Sequence, residues 1–445
     1  MFNYFPHTES DITSMLEQIK VESLDALYAE LPENILLKND YNLPESLSEH
    51  EIREYMERLG NKNRELTVFA GAGAYDHYTP SAIKYLTGRS EFQTAYTPYQ
   101  PEISQGTLRY IFEFQSMICS LTGMDCANAS MYDEATAAAE SIMMSHSLSK
   151  KSNRILASAT IHPYTRRVID TYASVRGIHI ETITEKEGVT DKADLEKKLN
   201  AGNVAGVILS SPNIYGIIED FSGFADLVHA KKALLTICSD PSTLAVLKTP
   251  AEWGADIACG DCQSLGMSLS YGGPYAGYLA CKKELVRKLP GRIAGATTDV
   301  DGKRAFVLTL QAREQHIRRG KATSNICSNQ SLMALHTTIY LSLMGNTGLK
   351  KVNELSHSGA RYLHDRLVET GKFSDLFNQP FLKEFALRSS LDLDKIEEKL
   401  LENGIFGGIR LDRLKPEHKD SLLLCVTEKR SKAEIDRFVE IINQA

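Results

Sequence analysis

The sequence has no run of about 18 apolar residues that could cross a bilayer, and its opening, MFNYFPHTESDITSML, lacks the pattern of a signal peptide. No membrane role is expected, and the cytoplasm is the expected compartment. There is no excess of basic charge either. Fifty Lys and Arg stand against 57 Asp and Glu, a net charge of −7, which argues against a general nucleic-acid surface because phosphate binding needs clustered cations. The one dense basic cluster runs from Arg313 to Lys321. Eight cysteines in 445 residues are too few for a disulfide framework. Cys259 and Cys262 form a CxxC, but no second Cys or His pair stands at zinc spacing near them, so no metal is expected.

What is present reads as a soluble globular chain, 42% hydrophobic and 24% charged. Three parts are expected. Residues 1–60 read as a helical arm: Ile12, Met15, Leu16 and Ile19 follow helical spacing, and Ser48 with Glu51 makes a capping box. Residues 61–345 read as a large α/β domain. Apolar runs at 154–162, 177–183, 204–213, 233–240 and 255–261 alternate with helical segments, the signature of a mostly parallel sheet covered on both faces. Residues 346–445 read as a small α+β domain, with a helix over 351–370, strands at 383–388 and 421–427, and a closing helix; the boundary falls near Gly345-Asn346-Thr347-Gly348.

Four stretches carry candidate chemistry. FAGAGAYDHYTP (69–80) has a Gly71-Ala72-Gly73 turn, but Asp76 stands where a dinucleotide-binding loop needs its third glycine. TAYTPYQPEISQG (94–106) is a proline-stiffened loop holding Tyr, Gln and Glu together, a surface suited to a ligand or an interface. It leads into an amphipathic helix expected to present Leu108, Phe112, Gln115 and Cys119. NASMYDEATAAAE (128–140) opens an alanine-rich helix whose first turn would suit an anion, except that Asp133 and Glu134 occupy it; N-capping is the better reading. Finally, a strand ends at Asp240. In pyridoxal-phosphate enzymes an Asp so placed pairs with the pyridine nitrogen, although a lone Asp after a strand usually caps a turn.

These stretches, together with SPNIYGIIED, GDCQSLGMSLSYGGPYAG, KLPGRIAG and LQAREQHIRRGKATSNICSNQSL, resemble the glycine-cleavage P-protein family, and within it the separate N-terminal-half subunit found in many bacteria. The resemblance spans essentially the whole chain. It implies pyridoxal-phosphate fold type I, the aspartate-aminotransferase-like α/β fold. It also implies glycine decarboxylation, with the aminomethyl group passed to the lipoyl arm of the H-protein. That chemistry needs a lysine to hold the cofactor, and the family's beta subunit carries a His-Lys pair before a glycine-rich turn. Here Gln263 and Ser264 occupy the matching region, and the next lysines, Lys282 and Lys283, lie past the turn. The resemblance therefore implies that pyridoxal phosphate is bound by the beta subunit and that this chain holds none covalently. Candidates for completing the partner's site or its interface are Tyr96, Tyr99, Gln100, Glu102 and Gln105, then Lys321, Thr323, Ser324 and Asn325. Two rivals remain: a self-sufficient pyridoxal-phosphate decarboxylase using Lys321 or another lysine, and a scaffold without a catalytic contribution.

Overall fold

The computed structural model describes residues 6–37, 39, 41–149, 152–322, 324, 326 and 328–444. The chain divides into two compact units, Met1–Arg64 and Glu65–Ala445. In the first, the helices Glu9–Ile19 and Glu49–Gly60 each begin with a capping box, Thr8 with Asp11 and Ser48 with Glu51. Reciprocal capping satisfies two free amides at each start. Neither helix buries a residue, so packing within this unit contributes little.

The second unit is built on a seven-stranded sheet. Its strands are β1 (Cys126–Ala127), β2 (Arg154–Ser158), β3 (His179–Ile183), β4 (Val204–Ser210), β5 (Leu234–Cys238), β6 (Ile257–Asp261) and β7 (Gly277–Cys281). The spatial order is β1-β7-β6-β5-β4-β2-β3. The pairs from β3 through β2, β4 and β5 to β6 are parallel, while β7 is antiparallel to both neighbours. A parallel strand is covered on both faces, which is why it reads as an unbroken apolar run. All seven residues of β4 are buried, each large aliphatic one contributing roughly 1.5–3 kcal/mol. The apolar runs at 154–162, 177–183, 204–213, 233–240 and 255–261 all became strands of this sheet.

Packing against the sheet corrects one expected face. The helix Gln105–Thr122 buries Leu108, Ile111, Phe114, Gln115 and Ile118, leaving Phe112 and Cys119 only half-buried. The stripe is wider than one row because one side meets the main sheet's core and the other the hairpin of Ala294–Thr298 and Arg304–Leu308.

The expected boundary near Gly345 coincides with a kink inside one long helical stretch, Ser331–Glu369. Gly345 has φ 55° there, a conformation that suits glycine. Beyond it lies a four-stranded antiparallel sheet of β8 (Phe373–Asp375), β9 (Glu384–Ser389), β10 (Ile409–Arg410) and β11 (Ser421–Cys425), ordered β8-β9-β11-β10. Thr67–Val68 also crosses to this side, pairing in parallel with Ile405–Phe406, and Phe69 packs on Phe438 with ring centroids 4.9 Å apart. The small layer therefore takes in chain from well before residue 346.

Candidate functional site

Parallel sheets bind ligands in the crevice beyond the carboxyl ends of their strands. A cavity of about 250 Å³ opens there, lined in part by Ser210 at the end of β4, Asp240 after β5, and Asp261 and Ser264 at and after β6. The Ser264 hydroxyl donates to Asp240 Oδ1. The other Asp240 oxygen lies 2.6 Å from the ammonium of Lys383, one residue before β9. Lys383 is 3% exposed. Its Nζ also donates to His77 Nε2 at 2.9 Å and lies 3.8 Å from the Tyr75 ring centroid.

His77 in turn holds Glu428, Nδ1 to Oε2 at 2.6 Å. A lysine donating to Nε2 makes that nitrogen the acceptor and leaves Nδ1–H to donate to the carboxylate. Burial, reinforced by Lys383, keeps the His77 imidazole below its ordinary pKa, against the pull of Glu428. Burial pushes the Asp240 carboxyl up, but Lys383, Ser264 and His77 together outweigh it and hold Asp240 low. Asp240 is thus a carboxylate already paired with a cation of its own chain. Gln263 is fully buried and acts as a clamp: its amide accepts from Tyr75 N (2.7 Å) and donates to the carbonyls of Tyr75 (2.9 Å) and Met267 (2.8 Å). Neither Gln263 nor Ser264 can form an imine with an aldehyde.

The start of the helix Glu134–Leu148 faces the same cavity. Two of its amides are taken: Thr136 N donates to Asp133 Oδ1 at 2.7 Å, and Glu134 N to Asp261 Oδ2 at 3.3 Å. Thr165 donates to Glu134 Oε1 at 3.1 Å. Burial pushes the Glu134 carboxyl up to about 7 and raises that of Asp261 as well. A phosphate here would meet Asp133, Glu134 and Asp261. It would need to displace the caps already on Thr136 N and Glu134 N, and its charge would further disfavour ionisation of these buried carboxyls. The capping expected at Asp133 is observed, and these residues do not fit pyridoxal phosphate.

The other candidates lie elsewhere in the same unit. Tyr96 is 82% exposed, and Gln100 and Glu102 are exposed too. Tyr99 is half-exposed; its hydroxyl accepts from Arg292 Nη2 at 3.2 Å, and the guanidinium lies 5.2 Å from the ring centroid. Gln105 has a structural task, since its amide binds Phe306 N and O, both at 2.9 Å, and Pro101 O at 2.6 Å. This fastens the tyrosine loop to the hairpin. Lys321 is exposed in a 3-10 turn, Arg319–Lys321, with no place in the cavity below Asp240. Ser324 donates to Glu140 Oε1 at 2.8 Å. Thr323 and Asn325 lie outside the described residues. The structure thus gathers Tyr99 with the segment 314–320; Tyr96, Gln100 and Glu102 stay apart on the surface.

Sequence reasoning missed Lys383, His77 and Glu428. The adjacent Lys383 and Glu384 at the head of an otherwise apolar strand were the available signal. The CxxC resolves into free thiols whose side chains pack in different core clusters, Cys262 in one and Cys259 in another, where the Cys259 sulfur lies 3.4 Å from that of Cys238.

An open sheet with an Asp after β5, a cavity at the strand ends and a small antiparallel layer define a chain of pyridoxal-phosphate fold type I. Solved structures agree: a glutamate decarboxylase from Lactobacillus brevis matches with a TM-score of 0.68 at 12% identity, covering 92% of this chain and 95% of that one. A glycine decarboxylase (P-protein) of the glycine cleavage system, in inhibitor-bound form, matches with a TM-score of 0.91 at 39% identity over 100% of both chains. The family model described as glycine cleavage system P-protein matches residues 2–442. Among curated relatives, a probable glycine dehydrogenase (decarboxylating) subunit 1 of Desulforamulus reducens is 48% identical, covering 97% of each chain. One of the same description from Moorella thermoacetica is also 48% identical, covering 98% of each. The chain belongs to the glycine cleavage system P-protein family.

Proposed function

We infer that this chain is subunit 1 of a two-subunit glycine dehydrogenase (decarboxylating), the P-protein of glycine cleavage, and that a second subunit of the same fold supplies the cofactor lysine. One observation carries the division of labour. At the strand-end cavity Asp240 is already paired with Lys383 and Asp261 with the helix start, whereas Tyr96, Gln100 and Glu102 of the tyrosine loop are exposed. Pyridoxal phosphate, held by the partner, supplies an electron sink for the carboxyl carbon's bond electrons. The contribution of this chain is to shape and close that site from outside, with Tyr96, Tyr99, Gln100 and Glu102 as the first contacting group and Lys321, Thr323, Ser324 and Asn325 as the second set of candidates. The lipoylated H-protein receives the aminomethyl group, and the assembly works in the cytoplasm; no helix of the described residues is long and apolar enough to cross a membrane.

Glycine-dependent CO2 release, or exchange of labelled bicarbonate into glycine, tests this with the lone chain and then with partner, pyridoxal phosphate and lipoylated H-protein. Activity only with the partner is expected. Activity of the lone chain would sink the division of labour and return attention to Lys321.

A further inference from the structure

The motif that opens at Asn128 closes on Glu140, and the helix it starts buries every residue from 137 to 145. Glu140 is the one ionisable side chain in that buried run and is 4% exposed. Ser324 donates to its Oε1 at 2.8 Å; its Oε2 is buried with no hydrogen-bond partner among the described residues. A buried carboxylate oxygen left without a donor is costly. Burial pushes this carboxyl up to about 7, with Ser324 and the charge of Arg176 pulling the other way. Beside it lies a cavity of about 320 Å³, which Glu140 lines with Tyr132, Met143, Tyr172, Val175 and Arg176 among others. This cavity shares no lining residue with the one at the strand ends. It is buried at Glu140 and Met143 and exposed at Val175 and Arg176, just past the helix Pro163–Ser174. Arg176 forms no ion pair among the described residues.

We propose that this cavity binds a free α-amino acid with an aliphatic side chain, its ammonium group on Glu140 and its carboxylate on Arg176. The wall carries one charge of each sign, which a zwitterion answers together and neither a plain amine nor a plain anion does. The ammonium supplies the donor that Glu140 Oε2 lacks. Two tyrosines, Tyr132 and Tyr172, line the same space, and aromatic rings suit a neighbouring cation. Met143, Val175 and Ile326 give the ligand's side chain an apolar wall. The site stands apart from the reaction proposed above and holds whichever subunit carries the cofactor.

The full chain is titrated calorimetrically with L-leucine, with glycine, and with two analogues of leucine: isopentylamine, which lacks the carboxylate, and isocaproate, which lacks the ammonium. Leucine is expected to bind saturably and about tenfold or more tighter than any of the others, as the loss of one charged hydrogen bond or of a buried aliphatic group requires. Glu140→Gln keeps the shape of the side chain and removes its charge; Arg176→Ala changes an exposed residue. Each should weaken leucine binding about tenfold or more, with the native fold retained by circular dichroism. Arg176→Ala should also bring leucine down to the level of isopentylamine. Binding elsewhere, as in the cavity at the strand ends, would be indifferent to both substitutions. No saturable binding of leucine, an analogue or glycine that matches it, or binding that survives both substitutions overturns the proposal.

Discussion

Two cavities of this molecule treat charge in opposite ways. In the one at the strand ends, charges are answered from within: Asp240 by Lys383, and two helix amides by Asp133 and Asp261. In the one beside the tyrosine loop, Arg292 stacks on Tyr99, donates to its hydroxyl and lies 4.0 Å from Glu314, one of whose oxygens is buried without a hydrogen bond. Buried polar groups are costly unless satisfied. A cavity whose charges are answered from within therefore stabilises the chain that owns it. Both lie within one fold, so the architecture by itself assigns neither role.

Four experiments break or sharpen that contrast. The largest effect is expected from Lys383→Met, which leaves Asp240 charged and buried. Urea denaturation should show a loss of about 3–5 kcal/mol, and adding Asp240→Asn should restore most of it. A double variant as unstable as the single one would show that Lys383 acts through packing alone.

Next comes Glu134→Gln. Folding moves this carboxyl from 4.5 to about 7 through burial, so between those values the folded chain holds a proton that the unfolded chain has released. Its contribution is present below pH ~4.5 and is lost as pH rises towards ~7. Above that, the glutamine variant should exceed the native chain by up to about 3 kcal/mol. Glu140 and Glu384, raised to about 7 likewise, keep their own dependence, so the difference between the two stability curves is the quantity to plot. A flat difference from pH 4 to 8 would contradict the burial argument.

On the exposed side, Tyr96→Ala and Gln100→Ala should leave stability within about 0.5 kcal/mol while lowering turnover of the reconstituted pair on the order of tenfold, about 1.4 kcal/mol in the barrier. Unchanged turnover with intact assembly would favour a scaffold role. The smallest effect belongs to Ser264→Lys. With Asp240 held by Lys383 and acids at the helix start, added pyridoxal phosphate should give no imine absorbance band. A stable band would mean that a single missing amine was all that kept the cofactor out.

The strands of the main sheet were legible because burial on both faces leaves continuous apolar runs, as in Val204–Ser210. Asp240 and Ser264 were legible as places, since both sit at strand ends. What each does was not, because Lys383 reaches Asp240 from the second sheet, and His77 lies 306 positions from Lys383 along the chain. No local periodicity encodes such a pairing. The helix Gln105–Thr122 was placed correctly but its buried face was drawn too narrow, since it packs on two cores at once. Tyr99 was chosen for its loop, and its tie to Arg292 came only with the fold.

Lys383 precedes a strand of the small sheet while Asp240 follows one of the large sheet, so their ion pair works as a bolt through the crevice. Opening the crevice would expose a lysine, an aspartate and a histidine stripped of their mates, which makes hinge motion between the layers costly. A partner would then meet a stiff body already in its docking shape, and little of the association energy would go to ordering it.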